Sequence, residues 1–207
     1  NAPKLLKVIL LLFSRDITKI NFAKKTLNLI SAKNLNNYFK NYLEVGVLWI
    51  NNDFYNMLNK LELIIRDSPK DIFAIRLFHF NNIFVGIDNK FLQKHKEMLS
   101  TWSEKDTHFN LLLGMSSYAF EENNNIKEAK KLAINSLDQS SNDLWSWHAL
   151  LHVYDHENNN NIKNIENFRK INWSTYGPIK RHIWWHQSLI LFYNKEYEKS
   201  LKIFDDY

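Results

Sequence analysis

The amino-acid sequence predicts an all-α chain built as a solenoid of paired helices. Three observations carry that expectation. Only 4 Gly and 3 Pro punctuate 207 residues, and so few breakers favour helices over many short strands. Second, an apolar residue recurs just after a polar turn at Ile17, Phe54, Phe91, Ile126, Ile162 and Tyr197. Subtracting residue numbers gives spacings of 37, 37, 35, 36 and 35. Third, strongly apolar segments alternate with amphipathic ones, the pattern of an inner helix followed by an outer one.

A period near 35 residues with two helices per period is the signature of a tetratricopeptide-type repeat. The expected fold is therefore a tetratricopeptide-like right-handed superhelical solenoid of about six helix-turn-helix repeats, a single domain over residues 1–207. In chain order the pairs are expected near 3–14 with 17–31, 37–51 with 53–67, 71–86 with 89–100, 107–123 with 125–138, 143–158 with 161–170, and 180–194 with 196–206. Each recurring apolar residue follows a helix-stopping pair: Arg15-Asp16, Asn52-Asp53, Asn89-Lys90, Asn124-Asn125, Asn160-Asn161 and Lys195-Glu196. Asn and Asp compete for backbone hydrogen bonds and tolerate turn conformations, so a short link suffices. The marker residues are expected to begin the second helix of each pair and to be mostly buried. Three residues on come Ile20, Met57, Lys94, Ala129, Ile165 and Ser200. Lys94 alone cannot pack, which makes the third pair the expected irregular one. Leu77, Phe78, Phe80, Ile83 and Phe84 nearly encircle one first helix, whereas Ile126, Ala129, Leu132, Ala133 and Leu137 form one stripe of a second helix with Lys127, Lys130 and Lys131 outside. Ile171 to Pro178 reads as an irregular link that tucks Trp173 back onto the fifth pair.

Apolar content of 45% with 14% aromatic is ample for a folded interior. The absence of Cys excludes disulfides, thiol catalysis and Cys-type zinc sites, and fits a reducing, cytoplasmic setting. The net charge is +5, but the lysines are spread along the chain as solvated helix faces, so no nucleic-acid partner is expected. Lys4 to Phe13 has the flavour of a signal peptide. Its apolar run is short, no small-residue cleavage site follows, and Arg15 and Asp16 close it. No stretch approaches the roughly 20 apolar residues of a membrane span. The chain begins with Asn1 and ends on an uncapped helix at Tyr207, so a solenoid truncated at both ends is expected.

The chemistry concentrates between Trp145 and His186. His148 with His152, and His182 with His186, are spaced four apart, which sets two imidazoles on one helix face in each case. The two helices are first helices of consecutive repeats. His79 occupies an equivalent helix two pairs earlier, and Trp184 and Trp185 flank the second histidine pair. Two readings stay open. Imidazoles, indoles and backbone carbonyls can form a hydrogen-bonded row that fixes the packing of adjacent repeats. Four imidazoles from two neighbouring helices can instead bind a ligand or a transition metal through His148, His152, His182 and His186. Ala149, Leu150 and Leu151 fill the gap between the first two histidines, so the metalloprotease helix pattern is absent. Asp155, His156 and Glu157 are the nearest polar supplements. No phosphate loop and no nucleophile elbow is present.

The run Gly114, Met115, Tyr118, Ala119, Phe120, Glu122, then His148, His152, Val153, then His182, Trp184, Trp185, His186 resembles the tetratricopeptide repeat protein 38 family. Asp71, Ala74, Leu77, His79 and Phe80 match it too, as does Ser200 to Asp205. The resemblance spans residues 38–207. Ile183 stands where that family usually has Asn, and Asn or Lys replaces its usual turn glycines. The resemblance implies an all-helical repeat protein with no established catalytic activity, and it supplies no catalytic or ligand residues.

The resulting expectation is a non-catalytic scaffold that binds a peptide or protein partner on its concave face, without cofactor, nucleic acid or membrane. The alternative is a metal- or small-ligand-binding protein, or an enzyme, that uses the histidine cluster. Candidate ligand-binding residues are His79, His148, His152, His182, His186, Trp184 and Trp185.

Overall fold

The computed structural model describes residues 1–86, 89–157 and 179–206. Among the described residues the chain is all-helical, and none lies in a strand. No helix among them is long and apolar enough to cross a membrane. The chain divides into two compact units, Asn1–Ile87 and Asp88–Tyr207.

The first unit runs α1 (Ala2–Phe13), α2 (Ile17–Leu27), a short 3-10 turn (Ala32–Asn34), α3 (Asn37–Ile50), α4 (Phe54–Asp67) and α5 (Ile72–Val85). Its core takes Leu5, Val8, Ile9 and Leu12 from α1, Tyr42 and Val45 from α3, Met57, Leu61 and Ile64 from α4, and Ile75 and Leu77 from α5. On α1, α3 and α4 these recur at three- and four-residue steps, so each turns one apolar stripe inward, whereas α5 is buried on several sides. Carboxylates start the helices: Asp16, Asp53 and Asp71 accept backbone N–H groups from the first turns of α2, α4 and α5. Asp71 does more. Its Oδ2 accepts the hydroxyls of Tyr38 and Tyr42, each at 2.7 Å, and so ties α3 to the start of α5. The second helix ends at Leu27, four residues earlier than expected from sequence, and the chain then enters the 3-10 turn.

The second unit runs α6 (Asn89–Thr101), α7 (Phe109–Glu121), α8 (Ile126–Gln139), α9 (Leu144–His156), α10 (Ile179–Tyr193) and α11 (Tyr197–Asp206). Ile162, the helix expected near 161–170 and the Trp173 link lie outside the described residues.

The turns repeat in detail. Asn52, Asn124 and Lys195 all adopt left-handed backbone, with φ of 58°, 58° and 62°. In each turn that residue's N–H bonds the carbonyl three residues back, and the next N–H bonds the carbonyl five back: Asn52 to Trp49 and Asp53 to Leu48, Asn124 to Glu121 and Asn125 to Phe120, Lys195 to Phe192 and Glu196 to Leu191. These are glycine-type helix ends built without glycine. Arg15 adopts the same left-handed conformation between α1 and α2. Asn89-Lys90 is the exception: it lies inside α6, and the positive φ after α5 falls at Gly86 instead.

The marker residues hold position but not burial. Ile17, Phe54, Ile126 and Tyr197 are each the first residue of a helix. Ile17 and Tyr197 are exposed, and Phe54 and Ile126 are half-buried. At the first helical position a side chain leans back over the preceding turn. Burial falls three residues later, at Met57, Ala129 and Ser200. Phe91 is the deviation: it lies two residues inside α6 and is itself buried, followed by His95 and Met98, while Lys94 sits beside the stripe and pairs with Glu97 at 2.9 Å.

Candidate metal centre

The faces of α9 divide three ways. Leu144, Leu150, Leu151 and Tyr154 join Ala133 of α8 and Ile183 and Ile190 of α10 in one cluster. Val153 joins Leu113, Phe120, Ala129 and Leu132 in another, between α7, α8 and α9. The remaining stripe carries His148 and His152. On α10 the residues beside the apolar contact are His182 and His186. Aliphatic packing between the two helices therefore sets the two imidazole pairs opposite each other. Ile183 is wholly buried in that packing, an apolar role where the resemblance leads one to expect Asn.

The four rings meet. Within each pair the Nε2 atoms lie 3.1 Å apart, His148 to His152 and His182 to His186. Across the helices the ring centroids are 4.8 Å apart for His148 and His182, 5.2 Å for His148 and His186, and 4.5 Å for His152 and His186. One nitrogen from each of the four lies within 4.8 Å of all the others. Zinc–imidazole bonds of about 2.0–2.1 Å in a tetrahedron put ligand nitrogens about 3.3 Å apart. The pairs along each helix are already close to that spacing, and with every separation within 4.8 Å none has to close by more than about 1.5 Å. Burial is graded: His148 is buried, His152 and His186 are half-buried, and His182 is exposed. The cluster has a floor and a mouth.

Burial and neighbouring imidazoles favour the neutral form of His148, His182 and His186. Burial, then the neighbouring His152, His186 and His182, pushes His148 down to about 2. Burial, then His152 and His182, brings His186 to about 3. His182 is lowered by burial and by His152. Neutral imidazole is the metal-binding form. Around the rings, Tyr118 stacks on His148 with an interplanar angle of 18° and meets His152 edge-on. Its hydroxyl is raised above the ordinary range by burial, then by a hydrogen bond to Glu122. Trp145 meets His148 edge-on, and Trp185 stacks on His182 at 19°. Among the described residues, His148 Nδ1 and Glu121 Oε2 are buried without hydrogen-bond partners, a costly arrangement for polar atoms.

Of the residues singled out from sequence, the structure brings together His148, His152, His182 and His186, with Trp185 against the rim. Trp185 is exposed, because the ring it stacks on, His182, stands at the mouth. Trp184 points the other way into the core, with Lys180 Nζ 5.0 Å from its ring centre. His79 is buried on α5, in the first unit. Sequence reasoning missed Glu121. This carboxylate is 4% exposed. Its Oε2 lies 3.4 Å from His152 Nδ1 and its Oε1 lies 3.0 Å from His156 Nε2. The available signal was its frame: Glu121 follows the buried Leu113 and Ser117 at four-residue steps, on a stripe where a charge is out of place.

No protein-family model matches the chain, and no solved structure matches it. The case for a function therefore rests on geometry and chemistry.

Proposed function

We propose that this protein binds one late first-row transition-metal ion, with zinc-like tetrahedral geometry, through His148, His152, His182 and His186. The observation that carries the reading is the convergence of four ligand nitrogens, from two helices, within 4.8 Å of one another. Imidazole suits zinc, copper and nickel, and an all-nitrogen set without carboxylate disfavours magnesium and calcium. Four protein ligands close the coordination shell, which is the arrangement of a structural site rather than a catalytic one. The ion acts as a staple between α9 and α10. Equilibrium dialysis of the full chain against zinc, followed by metal analysis, tests this. One equivalent is expected for the native protein, and none for the His148→Ala/His182→Ala double variant. Equal zinc in both proteins would overturn the reading.

We further propose that the helix pairs form a tetratricopeptide-like solenoid of the family that the histidine pairs resemble. The recurring left-handed turns at Asn52, Asn124 and Lys195 support this architecture. A second functional reading goes with it, a scaffold that binds a peptide or protein segment. It is favoured by an open apolar groove between α10 and α11, lined by Trp184, Trp185, Phe192, Leu201 and Phe204, of which all but Trp184 are exposed. Peptide-array binding that is lost on Phe192→Asp but kept on His148→Ala would favour the scaffold over the metal centre.

A further inference from the structure

The four imidazoles leave one neighbouring group unexplained. Glu121 comes from α7, a helix that contributes no imidazole to the cluster, and it is buried to 4% exposure with Oε2 lacking a hydrogen-bond partner among the described residues. An isolated buried carboxylate is expensive unless its charge is used or compensated. Its surroundings are two imidazoles. Oε2 faces His152 Nδ1 at 3.4 Å, and Oε1 faces His156 Nε2 at 3.0 Å.

His152 is the ring both systems share. Its Nε2 points into the four-histidine cluster, 3.1 Å from His148 Nε2, while its Nδ1 points at the carboxylate. The two nitrogens of neutral imidazole cannot both carry a proton. A carboxylate accepts only, so a hydrogen bond to it would hold the proton on Nδ1 and leave the Nε2 lone pair free.

We propose that Glu121 is the positioning residue of the metal centre, accepting the Nδ1–H of His152 so that Nε2 faces the ion in the right tautomer and orientation. This rests on the metal reading given above. A ring drawn onto the ion by its Nε2 can turn its Nδ1–H toward Oε2, shortening a contact now longer than a good hydrogen bond. The buried negative charge then offsets part of the ion's charge through the imidazole, as outer carboxylates do at metal sites generally. His156, half out in solvent on the far side of Glu121, holds the other oxygen and links the carboxylate to water.

The close approach of α7 to α9 makes this contact. Gly114 is what permits it: a Cβ there would lie 2.3 Å from Ser146 Oγ and 2.7 Å from Asp143 Oδ2. Seven residues further along α7, two helical turns from Gly114, Glu121 reaches His152, itself six residues beyond Ser146 on α9.

The test compares the native full chain with Glu121→Gln. Gln keeps the shape but can donate its amide N–H to Nδ1, which drives the proton onto Nε2. Nitrogen-15 NMR of metal-free protein should find His152 as the Nδ1–H tautomer in the native chain and shifted toward Nε2–H in Glu121→Gln. Zinc affinity by competition with a chelating dye should fall roughly 10–100-fold in the variant, with native circular dichroism. His156→Ala, which removes the outer partner only, should change zinc affinity by less than about threefold, a small part of the outer-carboxylate effect. Equal zinc affinity in native protein and Glu121→Gln overturns the positioning role while the metal reading stands. Loss of a second zinc equivalent in Glu121→Gln also overturns it, since Glu121 would then be a ligand. Absence of zinc binding by both proteins overturns the metal reading, and this role with it.

Discussion

Gly114→Ala tests the packing on which the centre depends. The side chain added there meets Ser146 Oγ at 2.3 Å and Asp143 Oδ2 at 2.7 Å, well inside contact distance. Ser146 Oγ donates to Asp143 Oδ2 at 2.6 Å and lies 2.7 Å from Ser136 Oγ, and Ser136 Oγ donates to the Asn110 carbonyl at 2.8 Å. All three side chains are buried. Either Ser146 rotates away and leaves a charged hydrogen bond broken, at a cost of about 1.5–3 kcal/mol, or α9 shifts off α7, an overpacking cost of about 1–3 kcal/mol. Alanine's better helix propensity returns about 1 kcal/mol, so a net loss of up to roughly 2 kcal/mol is expected, and at about 2–4 °C per kcal/mol the melting midpoint should fall by up to about 8 °C. Gly46→Ala is the control. Its new Cβ would sit 3.2 Å from Ile9 Cδ1 and 3.3 Å from Leu27 Cδ1, and methyl tips can yield, so its stability should change by less than about 1 kcal/mol. Thermal and urea unfolding by circular dichroism measure both. If Gly114→Ala melts no lower than Gly46→Ala, which gains the same helix propensity, the α7–α9 approach described above is wrong.

Other expectations are equally concrete. Asp71→Ala removes an N-cap and the acceptor of both the Tyr38 and Tyr42 hydroxyls, so urea unfolding should register a loss of roughly 2–4 kcal/mol. Tyr42→Phe, which removes one of those hydroxyls, should cost less. Lys195→Gly relieves a non-glycine residue held at φ 62° and should raise stability by up to about 1 kcal/mol; a loss would mean the lysine side chain makes contacts that outweigh the strain. His95 is wholly buried, with Nδ1 3.0 Å from Ser116 Oγ, and burial pushes it from 6.5 down to about 3. In the window between those values the unfolded chain binds a proton that the native chain refuses. Its contribution is therefore fully present above pH 6.5 and is lost as pH falls toward 3, at roughly 1 kcal/mol per pH unit. His148 and His186 of the metal-free protein shift the same way, so His95→Gln should flatten the pH dependence of urea midpoints only in part.

Local features were legible in the sequence. Few breakers and alternating apolar stripes foretold the helices. The polar pairs foretold the turns, and Asn52, Asn124 and Lys195 do occupy the left-handed positions. The four-residue histidine spacing sufficed to place each pair on one face, and the matching position of the two helices sufficed to oppose them. What escaped depends on contacts between distant segments. Glu121 is 31 residues from His152 in sequence, and only the Gly114–Ser146 approach brings them together. Asn89-Lys90 looked like the other turn pairs, yet Gly86 takes the positive φ and the pair forms the first two residues of α6. The recurring apolar residues marked helix starts, but burial at a start is decided by what packs against the preceding turn, which periodicity does not encode.

X-ray absorption at the zinc edge of the loaded full chain addresses the central claim most directly. One shell of four nitrogen scatterers at about 2.0–2.1 Å, with the outer-shell scattering of imidazole rings, is the expected result, and the number of imidazoles should drop in His182→Ala. A shell dominated by water or carboxylate oxygen, or one unchanged in His182→Ala, would contradict a centre built on His148, His152, His182 and His186.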